Sequence, residues 1–287
     1  MKYIPIRHIK STQSEFESSQ SFSIREVKDL HDGRDMVQEL HRHDFFYVLA
    51  LEKGMGNHDI DFLSYEISDL TVFFMRPGQV HQLTLKAGSI GYLMEFKNDF
   101  YYPHDKLSNQ VLRKVSNKNL CHLDAERFVK LFSILIYIFK EYADKQEGYL
   151  EVIKANLGIF FIELLRHRQN LESPSNNDTQ YSQERLEEFL ALMETHVSNQ
   201  KRVSQYADML NLSSYQLNAI TKATLGKNSS EIINDYIILE AKRYLLATSN
   251  QITQIADSLG YEDISYFIRF FKKNTGYSPE VFRHNFK

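Results

Sequence analysis

Three histidines and two groups of polar and basic side chains carry the chemistry open to this sequence. His41-Arg42-His43 precedes one apolar run, and Pro77-Gly78-Gln79-Val80-His81 opens another. Three imidazoles can hydrogen-bond backbone at the rim of a barrel, line a pocket for an organic molecule, or ligate a divalent metal with water in open positions. Tyr47, Tyr65, Phe74 and Glu95 are candidates to share such a pocket. The second chemistry is recognition of base edges and phosphates. Arg269 suits guanine, and Gln216 and Asn218 suit adenine. Ser265, Lys272 and Lys273 suit phosphate or a base edge, Tyr266 suits the backbone or a thymine methyl, and Ser214, Tyr215 and Lys222 complete the set with Gln216 and Asn218. The single cysteine, Cys121, excludes a disulfide framework and any CxxC zinc or redox site. It fits a reducing, intracellular setting.

These residues need two different frameworks to hold them. A chain of 287 residues is expected to form about two domains. Hydrophobic residues make up 43%, enough to bury real cores and to exclude wholesale disorder. The net charge of -3 announces no nucleic-acid partner, so any such claim rests on local pattern. The start, MKYIPIRHIKSTQSEF, has no apolar core of a signal peptide. The longest nearly unbroken apolar stretch, Leu131 to Phe139, is far short of the ~20 residues that span a bilayer. A soluble, cytoplasmic protein with no membrane partner is the expectation.

The first 100 residues read as β. Apolar runs at Phe45–Leu51, Leu70–Met75, Val80–Leu85 and Ile90–Phe96 are punctuated by Asp32-Gly33, Gly54-Met55-Gly56, Pro77-Gly78 and Ala87-Gly88. Close spacing without helical patterns between them predicts an antiparallel sandwich or barrel. The period then changes. Phe128, Leu131, Phe132, Leu135, Phe139 and Tyr142 fall at helical spacing behind Asp124, a predicted N-cap. Leu150, Ile153, Leu157, Phe160, Phe161, Leu164 and Leu165 predict a second helix. The two pack either on the β domain or on a second subunit. Gln169–Gln180 is polar and aperiodic and reads as a linker. From Ser182 onward the pattern is helical throughout.

That last third repeats itself. Val203-Ser-Gln-Tyr-Ala-Asp-Met-Leu210 aligns with Ile252-Thr-Gln-Ile-Ala-Asp-Ser-Leu259 at an offset of 49. One extra residue then makes the offset 50, matching Leu217 to Phe267, Lys222 to Lys272 and Gly226 to Gly276. Each copy predicts a short helix, a tight turn and a second helix, the helix-turn-helix pattern. Ala207 and Ala256 allow close crossing, and Asn211 and Gly260 fall at the turns. Ser213 and Asp263 are predicted N-caps of the second helices. Ser229–Ala247 predicts one connecting helix, with Ile232, Ile233, Tyr236, Leu239, Ala241, Tyr244 and Leu245 inward. At 1.5 Å per residue it spans roughly 28 Å, close to the ~34 Å between successive major grooves on one face of DNA.

The second copy, IADSLGYEDISYFIRFFKKNTGYSPEVFR, resembles the signature of AraC/XylS-type transcriptional regulators. The resemblance keeps the Ala-containing first helix, the Gly-aromatic turn, Ser-Tyr-Phe at the start of the recognition helix, Phe-Lys-Lys and the closing Gly-Tyr-Ser-Pro. The chain departs from the pattern at three positions. Thr221 stands where an aromatic is usual, Ala219 where a basic residue is common, and Ile237 where an Arg is expected. Charge is nearly balanced in Ser182–Lys287, with 12 basic and 12 acidic side chains, so modest non-specific affinity and a need for dimerisation are expected.

The His-x-His run, the Gly turn and Pro-Gly-x-x-His resemble the cupin-type sensor half found in many such regulators. Metal-binding cupins add a Glu shortly after the second His. Here Asp44-Phe45-Phe46-Tyr47 offers none, and Asp44 as the strand neighbour of His43 faces the opposite side. The family's sensor domains generally lack a metal. The resemblance therefore implies an α+β protein of two domains with no catalytic residue, metal or cofactor. The expected division is a cupin-like sensor and dimerisation domain over 1–168 (β part 20–100, helices 124–168), a linker over 169–181 and a DNA-binding domain over 182–287. The expected DNA contacts are Ser214, Tyr215, Gln216, Asn218, Lys222, Ser265, Tyr266, Arg269, Lys272 and Lys273, and the expected effector pocket is His41, His43, Tyr47, His81 and Glu95. The implied partners are promoter DNA, RNA polymerase, a small-molecule effector and a second copy of the chain, with activation as the expected sign. A ligand-independent regulator with a structural β domain, or a cupin metalloenzyme fused to a DNA-binding tail, are the alternatives.

Overall fold

The computed structural model describes residues 6–7, 9, 21–30, 33–101, 106–171 and 177–286. The chain divides into two compact units, with the boundary between residues 173 and 174. No helix among the described residues is long and apolar enough to cross a membrane.

The first unit is built on two five-stranded sheets. One has the order β1 (Ile6–Arg7), β3 (Met36–His43), β8 (Val80–Leu85), β5 (Gly56–Ile60), β6 (Leu63–Ile67). The other has β10 (Leu120–His122), β7 (Thr71–Met75), β4 (Phe46–Lys53), β9 (Ile90–Phe96), β2 (Phe22–Glu26). All pairings are antiparallel except β1 with β3. The result is the antiparallel sandwich expected from the apolar runs, and it is of the cupin-like kind that the resemblance implies. Its first sheet alternates along β3, with Met36 buried and Val37 exposed. In the second sheet, residues 46–51 of β4 are buried without a break. The difference is one of layers. Phe45, Tyr47, Leu49 and Leu51 pack between the sheets, while Phe46, Val48 and Ala50 pack on the helices behind. A strand covered on both faces needs a continuous apolar run.

Those helices are α2 (Ala125–Asp144) and α3 (Tyr149–Leu171). Asp124 is the N-cap of α2, its carboxylate accepting from Arg127 N at 2.9 Å. Phe128, Leu131, Leu135 and Ile138 of α2 meet Ile153, Leu157, Phe160, Phe161 and Leu164 of α3 in one core with the second sheet. Phe161 lies 5.6 Å from Phe74 and 5.7 Å from Phe96, ring to ring. A helix that the apolar pattern did not reveal, α1 (Lys106–Val115), packs beside them and buries Leu112 and Val115.

The second unit comprises α4 (Asn177–His196), α5 (Val203–Met209), α6 (Ser214–Leu225), α7 (Ser229–Ala247), α8 (Ile252–Ser258), α9 (Ile264–Thr275) and α10 (Pro279–Phe286). The stretch 169–181 read as linker is partly helical, because α3 continues to Leu171 and α4 starts at Asn177; residues 172–176 lie outside the description. Polar residues in sequence carry no apolar period and so imitate a linker.

Candidate nucleic-acid interface and sensor interior

The two sequence repeats form two equivalent helix pairs, α5–α6 and α8–α9. Each first helix is held at its start by a Gln reaching back: Gln205 Oε1 accepts from Arg202 N and Gln254 Oε1 from Gln251 N, both at 2.9 Å. Each buries an alanine within the helix, Ala207 or Ala256. The chain then turns through a left-handed residue, Asn211 (φ 55°) or Gly260 (φ 71°). Closure is the same in both, with Leu212 N donating to Ala207 O at 2.9 Å and Tyr261 N to Ala256 O at 2.8 Å. Ser213 caps α6 in a reciprocal box with Gln216, and Asp263 caps α9 by accepting from Ser265 N at 2.7 Å. Both predicted caps are present.

Each second helix buries one side and bares the other. α6 buries Leu217, Ile220 and Thr221, and α9 buries Phe267 and Phe271. The exposed residues of α6 include Tyr215, Gln216, Ala219, Lys222 and Ala223. Those of α9 include Ser265, Tyr266, Arg269, Lys272 and Lys273. These sets are related position by position by the offset of 50. They occupy i, i+1, i+4, i+7 and i+8, one face of a helix. Tyr215 is 83% exposed and Tyr266 55%, high values for rings in a domain with room to bury them. The α9 face carries three cations and the α6 face one. Arg269 is only loosely held, 3.8 Å from Asp263 with both side chains mainly in solvent.

Two residues expected on the α6 face are placed differently. Ser214 is half-buried, and so is Asn218, whose Oδ1 accepts from Ser229 N at 2.9 Å. Thr221, in the place of a usual aromatic, donates to Asn218 O and lies 3.1 Å from Ser229 Oγ. Asn218, Thr221 and Ser229 thus form a buried polar joint between α6 and the start of α7. Asn218 is committed to that joint, because a buried N–H left without an acceptor is costly. The connecting helix α7 has its predicted limits but turns differently. Ile237, Ile238 and Leu246 are buried, while Tyr236, Leu239 and Tyr244 are only half-buried.

In the first unit, the three predicted histidines meet between the sheets. His41 and His43 alternate inward on β3, and His81 lies opposite on β8. His43 Nε2 and His81 Nε2 are 2.7 Å apart, and His81 Nε2 and His41 Nε2 3.0 Å. A fourth histidine joins them. His58 of β5 places Nε2 2.7 Å from His81 Nδ1. His58 gives little signal in the sequence, because Asn57-His58-Asp59 is polar and follows a glycine. Its only signal was the alternation with Ile60, which is also buried. Burial holds all four imidazoles neutral well below the usual histidine range. His41 is pushed down to about 4, partly opposed by its bond to Glu39 O, His43 to about 2 and His58 to about 3, and His81 also lies far down.

The Tyr47 ring stands 5.3 Å from His43 and from His81, and its buried Oη has no hydrogen-bond partner among the described residues. Burial, with Glu95 second, pushes its hydroxyl upward, so it stays protonated. Glu95 pairs with Tyr47 across the ladder, but its carboxylate is taken by Arg25 at 2.8 Å and Ser23 at 3.1 Å. It is therefore not part of the imidazole cluster. Phe74 faces the helices instead, and Tyr65 is half-buried against Phe73.

A family model described as "Helix-turn-helix domain" matches residues 206–285, and one described as "AraC-like ligand binding domain" matches residues 29–94. The chain belongs to the AraC family of transcription regulators. It is a DNA-binding regulator whose first unit is an AraC-like ligand-binding domain. The "HTH-type transcriptional activator RhaS" of Salmonella schwarzengrund is 23% identical over 262 residues, 85% of this chain and 86% of that protein. RhaS of Salmonella typhimurium matches to the same extent. Among solved structures, ToxT from Vibrio cholerae is similar with 16% identity and a TM-score of 0.45, covering 92% of this chain and 98% of its own. An AraC-type DNA-binding domain protein from Chromobacterium violaceum is 25% identical with a TM-score of 0.34, covering 37% and 94%.

Proposed function

We propose that this regulator activates transcription from promoters that it reads with the exposed faces of α6 and α9. The observation that carries the reading is the pair of bare faces related by the repeat, each backed by a buried face of its own helix. On α9, Arg269 bonds a guanine and Lys272, Lys273, Ser265 and Tyr266 hold phosphate or flanking edges. On α6, Tyr215, Gln216 and Lys222 are the contacts, beside Ala219 and Ala223, whose methyls suit a thymine methyl. The first motif thus favours A·T-rich sequence with little charge. Ser214 and Asn218 contribute by placing α6.

The sign of regulation follows the relatives, two of which are named activators. Contact with RNA polymerase and residence in the cytoplasm follow the same likeness. The chain acts as a homodimer through the outer sides of α2 and α3, where Val129, Tyr137, Ile159 and Ile162 stay exposed although their helices have a full core. The space between the sheets, around Tyr47 and the histidines, takes the effector. The effector acts by shifting the placement of two DNA-binding units and hence the sites they bridge.

Footprinting of the full chain on a promoter it protects, beside Arg269→Ala and Gln216→Ala, tests the reading. Each substitution should lose protection and base preference over its own part of the site. Unchanged preference in Arg269→Ala would remove α9 as a reading helix.

A further inference from the structure

We infer that Lys201 is a positioning residue for DNA reading. It locks α9 at one placement relative to α6, so that the chain accepts its two-part site at a single spacing. The inference rests on the reading that both helices enter DNA, and it names the side chain that sets their phase.

The two motifs are joined covalently through α7, but they also touch. Tyr261, from the turn of the second motif, and Phe270, from α9, pack partly buried on the core that belongs to the first. Beside that contact the backbones meet. Gly260 comes so close to the segment after α4 that a Cβ on it would fall inside the Ser198 carbonyl oxygen. A residue without a side chain is what permits this approach.

Lys201 occupies the joint. Its Nζ donates to Ser198 O at 3.0 Å, on the side of its own motif, and to Gly260 O at 2.9 Å, in the other. It also stands 4.9 Å from the centre of the Tyr261 ring. One ammonium thus gives both carbonyl oxygens a charged donor and holds the ring between the motifs. Burial depresses the ammonium, as befits a cation drawn partly out of water. The line continues to the reading face, because Tyr261 stacks on the exposed Tyr266 of α9 with ring centres 5.9 Å apart.

The second copy solves the same problem differently. Lys201 matches Asn250 at the offset of 49. There, Asn250 O accepts from Arg283 Nη2 of α10 at 2.7 Å, and Leu245 O from Arg283 Nε at 3.0 Å. The entry of the second motif is held by an arginine of the helix that follows it. The entry of the first is held by a lysine that spans both motifs. Two reading helices on one frame bind a whole site far more tightly than either half, by an effective concentration that depends on how well the frame fits. One inserted base pair moves the second part by about 3.4 Å and turns it by about 35° around the axis. A locked frame rejects that change, and a loosened one tolerates it.

The test compares the full chain with Lys201→Met, which keeps a long stem and removes the ammonium, and with Lys201→Arg, whose guanidinium still offers donors to both carbonyls. Fluorescence anisotropy is read on a promoter fragment that the chain protects, on each half of it, and on the fragment with one base pair inserted between the parts. Lys201→Met should bind the whole fragment about 10-fold more weakly and each half within about 2-fold of wild type. It should also lose most of the discrimination against the insertion, and Lys201→Arg should restore both properties. A second measurement needs no DNA. Nitroxide labels at Asp208→Cys and Asp257→Cys, exposed positions outside the reading faces, are placed in a Cys121→Ser chain. Double electron–electron resonance should give one narrow distance, broadened by Lys201→Met. Circular dichroism confirms that each variant folds. Wild-type spacing preference or an unchanged distance distribution in folded Lys201→Met protein overturns the inference. So does equal weakening on the halves and the whole, or a broad distribution in the labelled chain that keeps Lys201. Failure of the reading helices themselves shows separately, as indifference of the same fragment to Arg269→Ala and Gln216→Ala.

Discussion

Gly260 and Gly276 make a matched pair, and substituting each by Ala should separate two costs. Both adopt a left-handed backbone, at φ 71° and 82°. A Cβ there costs about 1–2 kcal/mol, reduced by the lower entropy of the unfolded chain to about 1 kcal/mol net. At Gly276 nothing lies within 4 Å of the added Cβ, so the strain is the whole effect. At Gly260 the Cβ would fall inside the Ser198 carbonyl oxygen and 2.8 Å from Lys201 Nζ. Lys201 donates to Ser198 O at 3.0 Å and to Gly260 O at 2.9 Å, and its Nζ lies 4.9 Å from the centre of the Tyr261 ring. It thereby ties the entry of the first motif to the turn of the second. Gly260→Ala must open this joint. With partial exposure discounted, the two bonds are worth about 1 kcal/mol each. The total is about 3 kcal/mol against about 1 for Gly276→Ala. For a unit of this size the difference corresponds to about 10 °C in the melting of the second unit. Calorimetry of the full chain reads it directly. DNA affinity should fall more for Gly260→Ala than for Gly276→Ala, and more on a whole site than on either half. Equal melting shifts for the two variants would mean that the Lys201 joint adds nothing to stability.

Lys272→Ala should weaken DNA binding evenly across sequences and reduce the dependence of log affinity on log salt by about 0.9, checked by fluorescence anisotropy over a salt series. Ala223→Lys should steepen that slope by the same amount, because residue 223 occupies on α6 the position of Lys273 on α9. Thr221→Val should destabilise the second unit by about 1–3 kcal/mol in denaturant unfolding, since it leaves the Ser229 hydroxyl buried without its partner. Cys121 is buried, and burial raises its thiol, so it should resist alkylation in the folded chain and react at once on unfolding.

The parts of the structure legible in sequence are those set by local pattern. Asp124, Ser213 and Asp263 announced their caps because the bonds they make close within three residues. The limits of α7 followed from a continuous period between Asn228, its observed cap, and Thr248. Other features were hidden for physical reasons. β5 and β6 are short strands of a half-solvated sheet, and Gly56-Asn57-His58-Asp59 carries too little apolar weight to signal one. His58 therefore stayed out of the imidazole cluster. Asn218 read as a base-reading residue because its partner, Ser229, belongs to another helix. Ile237 read as a missing arginine, whereas at 2% exposure it is core, and a charge there would be buried without a partner.

The central claim is that α6 and α9 read DNA in concert. Its most direct measurement is selection of genomic fragments by the full-length chain at moderate salt, in parallel with Arg269→Ala and with Gln216→Ala. Enrichment of a few promoter regions sharing a two-part element is expected. Arg269→Ala should lose the preference for guanine in one part, and Gln216→Ala the preference for adenine in the other. Enrichment of one and the same element by all three proteins would contradict it.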